Sequence, residues 1–248
     1  VVIRQDGAPS SATCTPAGGS YTCEVGGLAI GVEHRFAARA VNEVGESRST
    51  PEAVGWAYRA PATPTATAEQ TGVAPGGDSG TVRVRVSGGA DVLEYRFLVD
   101  GVHMHSLTPR GAGGTADAEV DVPVGDHSFQ VVPVSRYPHP LNEPNTGAAT
   151  PAQPLLVAGP PKIRSLTLTT EPGGSTVMAT VDLSANWGEG TRYGVSTTGA
   201  CAANTPGLPS EPIPLNGTTG DTMVVTVFTS NDRGDAAPIT RQIVVGDT

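Results

Sequence analysis

Lysine and aromatic residues are scarce in this sequence. A single lysine, Lys162, stands against fourteen arginines, and Phe, Tyr and Trp together make up 4% of the 248 residues. Any hydrophobic core must therefore be built from Val, Leu, Ile and Ala, which suits thin β-sandwiches better than one large domain. The shortage of lysine beside abundant Ala, Gly, Val and Arg also favours a GC-rich coding genome, which would be bacterial.

Long apolar runs and clusters of positive charge are missing as well. The longest apolar pieces are as short as residues 154–158 (PLLVA), far below the roughly 18 residues of a membrane span. The net charge of −9 comes without a basic patch, which argues against contact with a phosphate backbone. We therefore expect no membrane insertion of this segment and no nucleic-acid partner.

The first residues, VVIRQDG, include no initiator Met and no signal-peptide pattern. We expect the chain to be an excised or processed piece of a longer polypeptide.

Cysteine occurs only three times. Cys14 and Cys23 lie in two short strand-like runs joined by a turn of Pro and Gly, a spacing that allows a disulfide across a hairpin. Further soft ligands for a metal are absent nearby. A disulfide implies an oxidising compartment, so we expect an extracellular or cell-surface location. Cys201 is left over and is interpreted as a buried thiol or an intermolecular link.

Alternation of apolar and polar residues dominates the chain, and helical periodicity is absent. The clearest runs are 81–88 (TVRVRVSG), 93–101, 116–124 and 127–134, and five further runs follow downstream. Clusters of Gly, Pro and Asp separate them, which predicts an all-β sandwich fold. Two Pro-rich stretches, 59–67 and 157–165, are typical of short semi-rigid linkers. They divide the chain into segments 1–60, 61–159 and 160–248.

A repeat relates these three segments. Residues 31–49 and 125–136 share a Gly, then a His (His34 and His127), then a Phe two positions later, and residues 220–238 follow the same rhythm. In each segment this is the penultimate strand. Residues 1–60 therefore hold only the second half of a sandwich, which makes the first domain incomplete.

The first segment resembles a fibronectin type III domain. The resemblance rests on Leu28, Gly31 and Glu33, on the alternating positions 34, 36, 38 and 40, and on residues 42–49 (NEVGESRS). It implies a tandem of β-sandwich domains. In that family a Tyr that closes the tyrosine corner stands in the place of His34, so the histidine ring would have to make an equivalent bond.

The resemblance implies a non-catalytic extracellular module, acting as a spacer, stalk or surface-assembly unit of a longer protein. Its expected partners are other domains of the same chain or copies of itself, and no cofactor is expected. The alternatives are an accessory region of a secreted carbohydrate-active enzyme, a binding module for a protein or glycan, and a filament subunit that receives strands from a neighbour. Exposed aromatics would favour the binding module, yet the candidates are scattered: Trp56, Tyr58, Tyr137 and Trp187.

No catalytic residues are assigned. A G-x-S-x-G elbow is absent, and so is a Gly-rich phosphate loop opening a helix. His103 and His105 would project from one strand face, but a third metal ligand is missing nearby. Asp117, Glu119 and Asp121 alternate on one strand, where a solvated row that discourages edge pairing is favoured over a Ca²⁺ site.

The tripeptide Arg233-Gly234-Asp235 is the sequence that adhesion proteins present to integrins on an exposed loop. In the repeat, residues 230–236 (SNDRGDA) align with residues 41–47 (VNEVGES), so that Gly234 matches Gly45. Asn and Gly have backbone roles in such turns. We therefore interpret the tripeptide as part of a turn, with a recognition loop as the alternative.

Overall fold

The computed structural model describes residues 1–74, 77–111, 113–137, 145–198 and 203–247. Its regular structure consists of short antiparallel β-strands joined by turns, as the alternating sequence pattern predicts. None of the described segments forms a helix that is long and apolar enough to cross a membrane. We refer to residues 1–60, 61–159 and 160–248 as units 1, 2 and 3, although their boundaries remain predictions.

Unit 1 contains one four-stranded sheet in the order β2-β1-β5-β8 and two separate hairpins, β3-β4 and β6-β7. The strands are β1 (Val2–Gln5), β2 (Ala8–Pro9), β3 (Thr13–Ala17), β4 (Ser20–Glu24), β5 (Glu33–Arg39), β6 (Val41–Asn42), β7 (Gly45–Glu46) and β8 (Ala53–Trp56). Every residue of this unit is described, and His34 alone is buried. No second sheet covers the first, so unit 1 is half a sandwich.

Unit 2 is a complete sandwich. Its sheets have the orders β13-β10-β9 and β12-β11-β14-β15. The strands are β9 (Thr65–Val73), β10 (Ser79–Ser87), β11 (Val92–Val99), β12 (Val102–Leu107), β13 (Ala116–Pro123), β14 (Gly125–Ser135) and β15 (Gln153–Val157). Alternate residues of both sheets form one core, in which Val82, Tyr95, Phe97 and Val131 are fully buried.

Unit 3 repeats this architecture with the sheets β16-β17-β20 and β19-β18-β21, where β22 and β23 both pair with β21. The strands are β16 (Lys162–Thr170), β17 (Thr176–Ser184), β18 (Arg192–Ser196), β19 (Thr205–Pro206), β20 (Ile213–Asn216), β21 (Thr222–Asn231), β22 (Gly234–Asp235) and β23 (Ile239–Val244). Its core centres on Val177, Ala179, Val225 and Val227.

The same strand order occurs in both complete units. The first, second and fifth strands form one sheet, and the fourth, third, sixth and last strands form the other. The four-stranded sheet of unit 1 has the strand order of this second sheet, and unit 1 has no equivalent of the first sheet. The prediction of an all-β tandem of fibronectin type III-like sandwiches with an incomplete first member is therefore confirmed.

Candidate functional site

Cys14 and Cys23 form a disulfide that links the two strands of the β3-β4 hairpin, where they lie directly opposite each other. Neither strand pairs with the four-stranded sheet. An isolated two-stranded hairpin is marginally stable at best. The covalent link therefore supplies the restraint that a core would otherwise give. Cys201, the third cysteine, lies outside the described residues.

Arg233, Gly234 and Asp235 lie at the turn between β21 and β22, and all three are exposed. The side-chain oxygen of Asn231 accepts a hydrogen bond of 2.8 Å from the backbone N–H of Arg233, and Gly234 has a φ of +128°. The turn of unit 1 is built in the same way. There the oxygen of Asn42 accepts from the N–H of Val44 at 3.0 Å, and the φ of Gly45 is +147°. Asn and Gly thus have the backbone roles expected of them.

This turn is fixed to its surroundings by its first two residues. The amide nitrogen of Asn231 donates to the carbonyl oxygens of Gly159 and Ala185, at 2.9 and 3.0 Å. Asp232 and Glu189 exchange two bonds: Oδ1 of Asp232 accepts from the N–H of Glu189 at 2.6 Å, and the N–H of Asp232 donates to the carbonyl of Glu189 at 2.9 Å. The tripeptide is therefore held against residues 185–189 and against the linker that precedes unit 3.

A groove of about 550 Å³ runs between units 2 and 3 beside this turn. Asp235 lines this groove together with largely apolar residues, among them Pro160, Ile163 and Ile239. The ammonium of Lys162 crosses the junction to Oδ1 of Asp78 at 2.6 Å. Only Arg233 of the tripeptide has an ion pair among the described residues, a contact of 3.2 Å with the neighbouring Asp232.

The two repeat histidines each contact an aspartate at a tight hairpin turn. Nδ1 of His34 lies 2.9 Å from Oδ2 of Asp6, and Nδ1 of His127 lies 2.7 Å from Oδ2 of Asp100. Each aspartate has a positive φ and is followed by a glycine with positive φ, as in type I′ turns. Hydrogen bonding to His34 lowers the pKa of Asp6. The pKa of Asp100 is lowered mainly by the hydrogen bond from the backbone N–H of Ser128 and, to a smaller extent, by the hydrogen bond with His127.

The remaining ring nitrogens of these histidines differ. Nε2 of His127 lies 2.9 Å from the carbonyl oxygen of Pro123, which is the equivalent of the tyrosine-corner bond. Nε2 of His34 is buried without a hydrogen-bond partner in the described structure. Pro123 ends β13, which belongs to the other sheet of unit 2, and unit 1 has no second sheet that could hold an equivalent strand. Both rings thus have packing and positioning roles.

The structure corrects the expectation that His103 and His105 share one strand face. A β-bulge places His103 opposite Leu98 and His105 opposite Phe97, which are consecutive residues and therefore face opposite sides of the sheet. Within the described residues, no group of three or more His, Cys, Asp or Glu side chains is arranged to hold a metal ion.

Asp117, Glu119 and Asp121 do share one face of β13. On the neighbouring strand β10, a positively charged side chain and a hydroxyl lie opposite this acidic row. Asp117 lies 3.4 Å from the guanidinium of Arg83, and the hydroxyl of Thr81 donates to Asp121 at 3.1 Å. Because β13 is the edge strand of its sheet, this paired row suits the interpretation as a solvated face that discourages edge pairing.

Comparisons with known proteins give no closer assignment than the strand order does. No protein-family model matches the chain, and no curated protein matches it. The fold is a tandem of fibronectin type III-like sandwiches. Similar solved structures include the Ig1–Ig3 ectodomain of mouse nectin-like molecule 4, at 13% identity, covering 98% of this chain and 89% of that chain with a TM-score of 0.40.

Two further similar structures are also tandem arrays. They are the FN1–FN3 domains of chicken CNTN1, at 11% identity, 99% and 91% coverage of the two chains and a TM-score of 0.27, and the tandem Ig repeats of Dlar, at 16% identity, 75% and 98% coverage and a TM-score of 0.26. Likeness at these identities and TM-scores carries no argument about function.

Sequence reasoning missed two features of these fibronectin type III-like units. The Asp-Gly dipeptides at 6–7 and 100–101 were a usable signal, because Asp-Gly between alternating runs predicts a hairpin turn. Gly188 is required because a Cβ there would lie 1.9 Å from the side chain of Asn231, a contact 43 positions away in sequence.

Proposed function

We propose that the chain is a non-catalytic extracellular structural module, a semi-rigid spacer or stalk within a longer secreted or cell-surface protein. The observation that carries this proposal is the side-chain hydrogen bonding at the junction of units 2 and 3. Asn231 of unit 3 binds the carbonyl of Gly159, and Gln70 of unit 2 binds the N–H and the carbonyl of Ala158, at 3.0 and 2.7 Å. Gln70 thus fixes the start of the linker to unit 2, and rotation of unit 3 about the linker would break the bond of Asn231.

Two prolines and an ion pair reinforce the same junction. Pro160 and Pro161 follow directly, and proline fixes φ near −65°. The Lys162–Asp78 contact then joins the first strand of unit 3 to the β9-β10 turn region of unit 2. Because both side chains are mostly exposed, this contact adds little to the stability of the junction.

The junction of units 1 and 2 uses the corresponding loop. The ring of Tyr137, which follows the sixth strand of unit 2, lies so close to Gly31 of unit 1 that a Cβ at position 31 would be 2.0 Å from it. In unit 3 the turn after the sixth strand likewise contacts residues of the preceding linker. The similar use of this loop at both junctions supports a head-to-tail arrangement with a limited range of orientations.

The proposed location outside the cell is supported by the Cys14–Cys23 disulfide, since disulfides persist in oxidising compartments. The expected partners are neighbouring domains of the parent chain. An accessory region of a carbohydrate-active enzyme stays the alternative that predicts a catalytic domain elsewhere in that chain.

The test compares the distance between spin labels on units 2 and 3 in the full chain and in two variants. Asn231→Ala removes the bond to the linker and should broaden the distance distribution. Asn42→Ala removes the same turn bond in unit 1, away from this junction, and should leave the distribution unchanged. If the distance distribution of the unsubstituted chain were as broad as that of Asn231→Ala, the proposed role as a semi-rigid spacer would be excluded.

Assembly through added strands is a second candidate, favoured by the uncovered face of unit 1. The pairing register places Ile3, Phe36 and Ala38 on one face and the charged side chains on the other, namely Arg4, Glu33, Arg35 and Arg39. Phe36 is only half-buried, whereas its repeat counterpart Phe129 is buried in unit 2. An apolar face of this kind favours a partner sheet.

Light scattering of the chain over a range of concentrations tests this candidate. Oligomers of the unsubstituted chain that are absent in the Phe36→Asp variant would support this candidate. A monomer at all concentrations, with unit 1 folded by hydrogen exchange, would exclude it.

A further inference from the structure

Trp187 has a backbone conformation that bulky residues rarely adopt. It is the third residue of the turn at positions 185–188 (ANWG), which the N–H of Gly188 closes by donating to the carbonyl of Ala185 at 3.1 Å. The φ angles are +47° at Asn186 and +57° at Trp187. Turns with two positive φ angles favour Asn followed by Gly, so tryptophan at this place costs free energy that glycine would not.

The indole of Trp187 has few packing contacts that could offset this strain. Trp187 is 52% exposed and belongs to neither hydrophobic core. An exposed apolar side chain on its own requires no explanation, and neither does a single strained residue. The combination of a strained backbone with a large exposed ring is expected where the ring itself has a task, since strain persists at binding sites.

Two carboxylates lie on the loops at this end of unit 3: Glu189 follows Trp187 by two residues, and Asp235 is in the adjacent turn. The double hydrogen bond between Asp232 and Glu189 joins the loop that bears Trp187 to the loop that bears Asp235. The carboxylates of Glu189 and Asp235 have no ion pair in the described part of the chain, whereas Arg233 is paired with Asp232. The two joined loops therefore present an exposed ring together with an excess of negative charge.

We propose that Trp187, Glu189 and Asp235 form a contact surface for an arginine or lysine side chain of a protein partner. The face of an indole attracts a cation, and carboxylates beside it complement that charge. Tryptophan is also among the residues that contribute most at protein interfaces. This surface goes beyond the spacer role and does not depend on it.

The probe is a short peptide, acetyl-Gly-Arg-Gly-Arg-Gly-amide, titrated into the full chain while indole N–H signals are followed by NMR. Its control is the same peptide with citrulline, which keeps the shape of arginine without the charge. We expect the arginine peptide to shift the Trp187 signal and the citrulline peptide to leave it in place. Trp56, which is 37% exposed, provides an internal control whose signal should not move.

Two variants separate this site from attraction to a chain with a net charge of −9. Trp187→Gly should lower the affinity for the arginine peptide by roughly two- to five-fold, the range of an exposed cation–aromatic contact. The same substitution should raise the thermal midpoint of the chain, because glycine relieves the strained turn. Glu189→Gln combined with Asp235→Asn should also weaken binding. Equal affinity for Trp187→Gly would overturn the proposal. So would an equal shift with the citrulline peptide, or a shift caused only by a neutral oligosaccharide such as cellohexaose, which would assign the ring to glycans.

Discussion

Nδ1 of His127 lies 2.7 Å from Oδ2 of Asp100, joining the turn between β11 and β12 to strand β14. The other carboxylate oxygen of Asp100 accepts from the N–H of Ser128 at 2.8 Å. Unit 1 contains the same arrangement, in which Asp6 contacts His34 and the N–H of Arg35. Because one carboxylate satisfies both a ring and a backbone donor, it fixes the turn and the neighbouring strand relative to each other.

The first prediction concerns acid sensitivity of this contact. The pKa of folded Asp100 lies below its ordinary value of 3.8, so its stabilisation is complete above about pH 4 and is lost as the pH falls through the lowered pKa. We expect Asp100→Asn to lower the thermal midpoint of unit 2 at pH 5. The difference from the unsubstituted chain should shrink towards pH 2.5.

Asp126→Asn, at an exposed position of β14 next to His127, is the control and should have little effect at either pH. A difference between Asp100→Asn and the unsubstituted chain that stays constant from pH 5 to pH 2.5 would contradict the predicted linkage.

The second prediction concerns the buried hydroxyl of Tyr95. The side chain is fully buried, and its hydroxyl contacts the carbonyl oxygens of Gly88 and Gly114. Burial raises the pKa of this hydroxyl, which keeps it a donor. Tyr95→Phe should destabilise unit 2 by about 1–3 kcal/mol, because it leaves buried carbonyl groups without that donor. Urea unfolding followed by a probe in unit 2 measures the change.

Tyr193→Phe is the matched control for Tyr95→Phe. Tyr193 lies on the third strand of unit 3, as Tyr95 does in unit 2, but it is only half-buried. We expect a much smaller change in the free energy of unfolding. Equal effects of the two substitutions would show that the carbonyl contacts of Tyr95 contribute nothing measurable.

The third prediction concerns the contact between Gly31 and Tyr137. A Cβ at position 31 would lie 2.0 Å from Cδ1 of Tyr137, and the φ of Gly31 is +71°. Gly31→Ala should therefore cost about 1 kcal/mol through the backbone and should also displace the ring from unit 1. NMR shifts of residues 136–137, in unit 2, report the displacement.

Gly27→Ala isolates the backbone cost in this experiment. Gly27 has nearly the same φ, +73°, and nothing within 4 Å of its would-be Cβ. It should lose similar stability without affecting residues 136–137. If both variants left the Tyr137 signals unchanged, the contact between units 1 and 2 would be absent in solution.

The local pattern of the sequence determined the strands and several turns. The alternation of residues 81–88 corresponds to β10, with Val82, Val84 and Val86 inward and Arg83 and Arg85 outward. The roles of Asn231 and Gly234 also followed from the aligned turn in unit 1. These features were accessible because side-chain alternation and turn geometry depend on residues that are close in sequence.

Contacts between distant residues were decided by the tertiary structure alone. The bulge that separates His103 from His105 arises from pairing with β11, and no local pattern encodes it. Asp100 meets His127 only because β14 lies beside β11, and Trp187 comes to the same end as Asp235 only because two loops exchange hydrogen bonds. Packing of whole sheets fixes such neighbours, and residue spacing along the chain carries no record of it.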